Sequence, residues 1–119
     1  MIIDGEQFTN SATCHGRSFA ISDVPLDLAE ITIRGRYPET GWARNKESHE
    51  IVRILRGAGN LAIRGKETIA LAEGVVVHVP PNERFVWQSE AGKEMTILMA
   101  CSPPFNAYQY EIEEENYEV

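Results

Sequence analysis

The residues of this chain that could do chemistry are few and widely spaced. It has three histidines and two cysteines: His15, His49, His78, Cys14 and Cys101. No Cys-x-x-Cys pair is present, so the cysteines form no zinc or redox motif. Cys14 next to His15 would be an activated thiol only if the two side chains met, and we expect them to point apart in an N-terminal loop. Cys101 ends an apolar run and is expected to be a buried, small hydrophobic residue.

The densest group of polar side chains lies in residues 41–50. Four of them would share one face of a regular strand, where side chains alternate: Arg44, Lys46, Ser48 and Glu50. If that face looks into a pocket, the two cations would bind a carboxylate or phosphate, with the glutamate as their partner. The alternative is that Arg44 and Lys46 lie in a solvated loop, with Trp42 and Asn45 left at the rim of the pocket.

Two aromatic residues and one histidine could complete such a pocket. Phe85 and Trp87 share a face and favour stacking on an apolar ring or a sugar. The alternative is core filling, since small barrels pack their interiors with large side chains. His78 either faces the pocket or is a wall residue satisfied by a hydrogen bond. A buried Glu50 with a raised pKa would act as a base, with His78 or Lys46 as its partner.

The elements that must position these residues are short strands. Glycine and proline recur along the chain and leave segments rich in β-branched residues, which is typical of an all-β sandwich or barrel. The candidate strands are Ser18–Ser22, Leu28–Arg36, His49–Leu55, Asn60–Arg64, Glu67–Ala72, Val75–Val79, Arg84–Gln88, Glu94–Cys101 and Tyr108–Ile112. Tight turns are expected at 64–66, where Gly65 takes a positive φ, and at 90–93. Helix should be minor, at most one turn near Pro25–Ala29.

Length and charge narrow the class of protein. The 119 residues fit one domain, and the longest apolar runs fall far short of the ~20 residues that span a membrane. The N-terminus lacks the basic start and apolar stretch of a signal peptide. The net charge of −7 disfavours binding to nucleic acid or to an anionic membrane. Five acids crowd the last nine residues: Glu111, Glu113, Glu114, Glu115 and Glu118. We therefore expect a cytoplasmic protein whose acidic end is a solvated terminus.

Two glycine-bounded motifs give the chain a family resemblance. Glu50 is followed by six residues and then by Gly57, and Gly74 is followed by five residues and then by Pro80. A hairpin is expected between them. The segment from Glu50 to Gly57 resembles the second half of the first motif of the cupin superfamily, and the segment from Gly74 to Pro80 resembles the start of the second motif. The glycines lie where strands turn, and Pro80 ends a strand where no ladder donor is needed.

The resemblance implies an all-β fold with little helix, a single cupin jelly-roll β-barrel spanning residues 1–119. The barrel core would run from about 18 to 112, with an N-terminal arm at 1–17 and an acidic tail at 113–119. The resemblance also implies a homodimer formed by packing one sheet of each barrel, with terminal strands often exchanged.

The chain departs from the family at the metal ligands. Metal-binding cupins use two histidines and a glutamate from the first motif and a histidine from the second, a set that suits iron, manganese, nickel or zinc. In the family, three or four residues separate the second histidine from the glutamate. Counting back from Glu50 with three places Lys46 and Arg44 at the two histidine positions, and counting with four places Asn45 and Ala43 there. The histidine position of the second motif holds Phe85. Since only Glu50 remains, we expect no metal at this site and no other cofactor.

The sequence therefore predicts a cupin that binds a small molecule, either sugar-like or a carboxylate or phosphate compound, without the usual metal. The predicted pocket residues are Trp42, Arg44, Asn45, Lys46, Glu50, His78, Phe85 and Trp87. One alternative is a metal-independent acid–base enzyme, similar to an isomerase or epimerase, with Glu50 as its candidate catalytic residue. The other is a cupin that holds a metal through atypical ligands. The sequence does not decide whether the protein is an enzyme.

Overall fold

A computed structural model describes residues 1–114, which form twelve β-strands and no helix. The strands are β1 (Glu6–Ser11), β2 (Cys14–Ser18), β3 (Asp27–Ile33), β4 (Arg36–Tyr37), β5 (Trp42–Asn45), β6 (His49–Arg56), β7 (Gly59–Ile63), β8 (Ile69–Leu71), β9 (Val76–Val79), β10 (Phe85–Ser89), β11 (Met95–Ser102) and β12 (Tyr110–Glu113). No segment of this described range is a helix long and apolar enough to cross a membrane. Residues 115–119 of the predicted acidic tail lie outside the described residues.

The strands build two sheets that enclose one core. The first sheet has the order β1-β2-β3-β11-β6-β9, and the second has the order β12-β5-β10-β7-β8, with β4 paired to β10. All these pairings are antiparallel. Side chains on β6 alternate strictly, so Glu50, Val52 and Ile54 are buried while His49 and Ile51 are exposed. The predicted all-β jelly-roll architecture is confirmed.

Both predicted tight turns form, but only the turn at 64–66 closes a hairpin, because β7 pairs with β8 whereas β10 and β11 lie in different sheets. Gly65 has a φ of 82°, and the Lys66 N–H donates to the Ile63 carbonyl at 3.0 Å. In the second turn, the Lys93 N–H donates to the Glu90 carbonyl at 2.9 Å. Side chains rarely adopt a left-handed backbone, which is why glycine suits position 65.

The region before residue 28 differs from the prediction. The segment expected as an N-terminal arm folds into the β1–β2 hairpin, and β2 pairs with β3 so that Cys14 lies opposite Ile33. The predicted strand at 18–22 is wrong, because the ladder ends at Ser18. No helical turn forms near Pro25–Ala29, since β3 begins at Asp27. The two strands of this hairpin, EQFTNS and CHGRS, have little of the β-branched and aromatic character that predicts a strand.

The chain turns a corner between β5 and β6. β5 belongs to the second sheet and β6 to the first, so residues 46–48 carry the chain from one sheet to the other. Gln109 fixes this corner, because its Oε1 accepts the Glu47 and Ser48 N–H groups at 2.8 Å each. The Lys46 N–H donates to the Gln109 carbonyl at 3.0 Å. The corner sets which side chains of this segment reach the interior.

Candidate functional site

A cavity of about 570 Å³ lies between the two sheets. Six aromatic residues line it: Phe8, Tyr37, Phe85, Trp87, Phe105 and Tyr110. Aliphatic side chains complete most of the wall: Ala29, Ile31, Ile33, Ile97, Met99 and Ile112. The more polar lining residues are Asn10, Cys14, Ser18, Asp27, Glu50 and Cys101. A mainly apolar cavity of this size with a few polar groups has the character of a small-molecule site.

Glu50 is the central polar residue of this cavity. It is 5% exposed, and its Oε2 accepts a hydrogen bond of 2.8 Å from Asn45 Nδ2. Its Oε1 has no hydrogen-bond partner within the described chain. Burial raises the pKa of the Glu50 carboxyl to about 7, and the Asn45 hydrogen bond only partly opposes that rise. At neutral pH the carboxyl therefore populates both its protonated and its ionised form, so it can accept or donate a proton.

A pair of tyrosines lies near Glu50. The hydroxyl groups of Tyr37 on β4 and Tyr110 on β12 are 3.0 Å apart. Burial is the largest cause that raises the pKa of both phenols, and the negative charge of Glu50 adds to it. Both tyrosines are thus neutral hydrogen-bonding groups at neutral pH.

The two cysteines line the cavity as neutral thiols. Burial raises the pKa of Cys14 and of Cys101 to about 11. Cys14 is buried on β2, whereas His15 is exposed on the opposite face, which confirms that the two side chains point apart. Because a thiolate is the reactive form, neither cysteine has the character of an activated nucleophile.

The structure brings four of the eight candidate pocket residues together. Glu50, Phe85 and Trp87 line the cavity, and Asn45 is hydrogen-bonded to Glu50. The rings of Phe85 and Trp87 meet edge to face, with centroids 6.3 Å apart and an interplanar angle of 69°. Trp87 is 1% exposed, so its ring both fills the core and forms part of the cavity wall.

The structure places Arg44, Lys46 and Trp42 away from the cavity, which corrects the prediction of a cationic lining. On β5, Ala43 is buried, and Trp42 and Arg44 alternate with it on the outer face. Arg44 forms an ion pair with Glu111 on β12, and Lys46 Nζ lies 3.2 Å from Glu111 Oε2. The cationic lining required one regular strand from Arg44 to Glu50, but the corner between β5 and β6 breaks the alternation.

His78 also lies outside the cavity, which corrects its predicted pocket role. On β9 the buried residues are Val77 and Val79, so His78 points outward. Its Nε2 is 3.0 Å from His49 Nδ1, and the two rings stack with centroids 5.2 Å apart. This exposed pair is separated from Glu50 by the sheet itself, because His49 and Glu50 are neighbours on one strand.

Several cavity residues were not predicted from the sequence. Tyr110 and Ile112 share the inward face of β12, and strand alternation would have found them. Tyr37 and Phe8 reach the cavity from a two-residue strand and from the unpredicted hairpin. No local pattern identifies residues that long-range pairing alone brings into the wall.

The donors present do not fit the transition metal that the family resemblance implies. Phe85 lines the cavity from the position where the second motif would supply a histidine. Among residues 1–114, no three His, Cys, Asp or Glu side chains are grouped so that they could hold a metal ion. One carboxylate and one amide are too few ligands for iron, manganese, nickel or zinc.

Some acidic residues near the end of the chain form ion pairs with basic side chains of the second sheet. Besides the contacts of Glu111, Arg84 Nε and Nη2 donate to the Glu113 carboxylate at 2.6 and 2.9 Å. Arg44 and Lys46 hold the pKa of Glu111 below its usual value. The expectation of a solvated acidic terminus is therefore wrong for Glu111 and Glu113, which belong to β12 and bind neighbouring strands.

Comparison with solved structures agrees with this architecture. No protein-family model matches the chain, and no curated protein matches it. Among solved structures, the Streptomyces nucleoside dehydratase Pac13 has 17% identity and a TM-score of 0.76, over 92% of this chain and 85% of its own. Ectoine synthase from P. lautus has 15% identity and a TM-score of 0.70, over 92% of this chain and 86% of its own. A cupin-2 domain protein from Rhodospirillum rubrum has 16% identity and a TM-score of 0.72, over 95% of this chain and 76% of its own. The two sheets, the glycine-bounded motifs and these likenesses show that the chain has the fold of the cupin superfamily.

Proposed function

We propose that the protein binds a small, ring-bearing organic molecule in the barrel cavity, with Glu50 as its polar anchor and without the usual cupin metal. The observation that carries this proposal is a buried carboxyl oxygen without a partner on the wall of a mainly apolar cavity of about 570 Å³. Buried polar groups are nearly always hydrogen-bonded, so a ligand that contacts Glu50 Oε1 would complete the site.

The lining favours some of the expected ligand classes over others. Arg44 and Lys46 pair with Glu111, and no lysine or arginine of the described chain lines the cavity. A carboxylate or phosphate ligand would therefore enter without a countercharge, which is costly in an apolar site. Rings such as Trp87 suit the flat face of a sugar or a base. Pac13, which shares the fold, was solved with uridine.

Binding can be tested with Trp87 as the reporter. The chain has two tryptophans, so the Trp42→Phe variant leaves Trp87 as the single tryptophan in the cavity wall. We expect at least one compound of a panel of uridine, benzylamine, benzyl alcohol, benzoate and a hexose to change its fluorescence saturably and with one-to-one stoichiometry. Ala29 lines the cavity, so Ala29→Phe should fill the space and weaken that binding at least tenfold.

The matched control is Ala70→Phe, which adds the same ring at an exposed position of β8. This variant should bind as the parent does. If no compound of the panel binds, or if Ala29→Phe leaves every affinity unchanged, the cavity is not the binding site and the proposal fails.

A second candidate function is acid–base catalysis by Glu50. It is favoured by the pKa of about 7, which lets one carboxyl take up and release a proton at neutral pH. For a bound ligand with an acidic C–H bond, the wild-type protein in D₂O should exchange that hydrogen for deuterium, as seen by NMR. Glu50→Gln should reduce the exchange rate by at least a hundredfold, and equal rates in the two proteins would exclude this role.

We also propose that two copies of the chain associate through the outer face of the first sheet. Leu28, Ala100 and Ile51 form one row across β3, β11 and β6, and His78 continues it on β9. Val76 lies in the next row, opposite Arg53. Leu28, Ile51 and Val76 are exposed. Exposed apolar side chains with polar residues around them suit an isologous dimer. A cytoplasmic location stays a prediction from the sequence.

A further inference from the structure

The polar atoms around the cavity lack hydrogen-bond donors. Among residues 1–114, three buried side-chain atoms have no hydrogen-bond partner: Glu50 Oε1, Asn45 Oδ1 and Arg44 Nε. The first two are acceptors on the hydrogen-bonded pair at the cavity. The third is a donor, but it lies on the outer face of β5. A ligand that donates a hydrogen bond to the ionised Glu50 carboxylate would therefore satisfy this site.

The formal charge of the lining points the same way. Glu50 and Asp27 are the acids of the described cavity wall, and no lysine, arginine or histidine joins them. Asp27 is held in place because its Oδ2 accepts the Phe105 N–H at 2.9 Å. An anion would meet two carboxyl groups inside a mainly apolar space, whereas a cation would meet two countercharges.

The aromatic walls add a second attraction for positive charge. Aromatic faces carry partial negative charge and attract ammonium groups within about 6 Å of the ring centre. Phe85 and Trp87 meet edge to face, as do Phe105 and Tyr110, whose centroids are 5.4 Å apart. In such pairs the two rings present differently oriented surfaces, so a small cation in the cavity can meet a ring face on more than one side.

We propose that the cavity selects small organic cations, with an amine or ammonium group on a ring-sized body. The cationic group donates to Glu50 Oε1, and the aromatic walls surround the ring. This inference rests on the proposed function, because it names the ligand class of the same cavity.

Proton release accompanies the binding of such a cation. The other titratable groups of the described wall are Asp27, Cys14, Cys101, Tyr37 and Tyr110. Burial raises the pKa of both thiols and both phenols, so these four stay neutral near pH 7. The ammonium group keeps its proton and favours the carboxylate form of the glutamate, whose proton passes to solvent.

Three probes of matched shape test the charge preference: benzylamine, benzyl alcohol and benzoate. With the full chain at about pH 8, titration calorimetry should give benzylamine an affinity at least tenfold above benzyl alcohol, with benzoate weakest. The benzylamine affinity should fall about tenfold from pH 8 to pH 6, because the ionised fraction of a carboxyl with a pKa of about 7 falls by that factor. Benzylamine itself stays protonated over this range.

The Glu50→Gln variant separates this inference from the proposed function. It should lower the benzylamine affinity at about pH 8 at least tenfold and remove the pH dependence of that affinity. The affinity for benzyl alcohol should stay within about threefold of the wild-type value. Glu67→Gln, at an exposed position between β7 and β8, is the control and should change neither the affinity for benzylamine nor its pH dependence.

If benzyl alcohol or benzoate binds as tightly as benzylamine, the cation preference is wrong while the cavity remains a binding site. If none of the three binds but uridine or a hexose does, the cation preference is again wrong. If Glu50→Gln does not fold, the probe series and pH dependence of the wild-type protein still decide.

Discussion

Glu50 concentrates the chemistry of this barrel in one side chain. A carboxyl group buried among aromatic and aliphatic residues is costly to ionise, and a single hydrogen bond from Asn45 offsets only part of that cost. A glutamine of nearly the same shape would fill the position without the charge. A carboxyl retained here at a cost in stability is typical of a functional residue, because strongly shifted pKa values cluster at functional sites.

The raised pKa of Glu50 makes the stability of the protein depend on pH. Because its folded-state pKa of about 7 lies above its usual value of 4.5, the folded protein binds a proton more tightly than the unfolded chain does. Stability should therefore be highest below about pH 4.5, as far as this residue is concerned, and fall as the pH rises to about 7. At about pH 8, Glu50→Gln should be more stable than wild type by on the order of 3 kcal/mol.

Urea unfolding between about pH 4.5 and pH 8 measures this difference. The curve of Glu50→Gln should be flatter than that of wild type, and the two should converge at the acid end. Glu67→Gln, at an exposed position between β7 and β8, should follow wild type throughout. Parallel curves for wild type and Glu50→Gln would show that the carboxyl is not strained by burial.

At the scale of elements, the alternation of a single strand could be predicted, and its continuation past a corner could not. On β6 the sequence correctly separates Glu50 from His49, because neighbours on one strand face opposite ways. Asn45 and Glu50 are five residues apart, so one regular strand would place them on opposite faces, yet they are hydrogen-bonded. The corner at residues 46–48 resets the alternation, and this change places Arg44 outside and Asn45 inside.

The cause of that corner lies far away in the chain. Ser48 is buried, and its hydroxyl donates to the Pro103 carbonyl and accepts from Gln109 Nε2. These partners are 55 and 61 residues away. Local composition predicts strands and turns because they depend on near neighbours, but it does not indicate which distant loop will form hydrogen bonds with a bend. The missed β1–β2 hairpin has a different cause, because its largely polar strands carry little β-branched or aromatic character.

At the scale of the whole molecule, the barrel has an inner, mainly apolar cavity and an outer face on which several apolar side chains are exposed. The outer one lies on the first sheet, where Ile51 is 53% exposed and Val76 is 56% exposed. On the second sheet the outer surface carries ion pairs such as those of Arg44 and Arg84 with β12. We therefore assign the proposed dimer contact to the first sheet, where the exposed side chains of Ile51 and Val76 lie on neighbouring strands.

A single charge on that face should break the dimer. Ile51→Glu would bury two carboxylates in a two-fold interface, so we expect it to weaken association by at least a hundredfold. Sedimentation velocity at tens of micromolar should show a dimer for wild type and a monomer for the variant. Gln88→Glu, at an exposed position of β10 in the second sheet, should leave the dimer intact. A monomeric wild-type protein would refute the proposed association.

Part of the cavity wall lies on the edge strands of the two sheets, and this position affects how the protein can evolve. β1, which carries Phe8 and Asn10, and β12, which carries Tyr110 and Ile112, are the terminal strands of their sheets within residues 1–114. A replacement on β1 or β12 disturbs the pairing with one neighbouring strand. Trp87 lies on β10, which is paired on both sides, so a replacement there disturbs two pairings. The barrel therefore gives natural variation and laboratory evolution a place to alter ligand recognition while the scaffold persists.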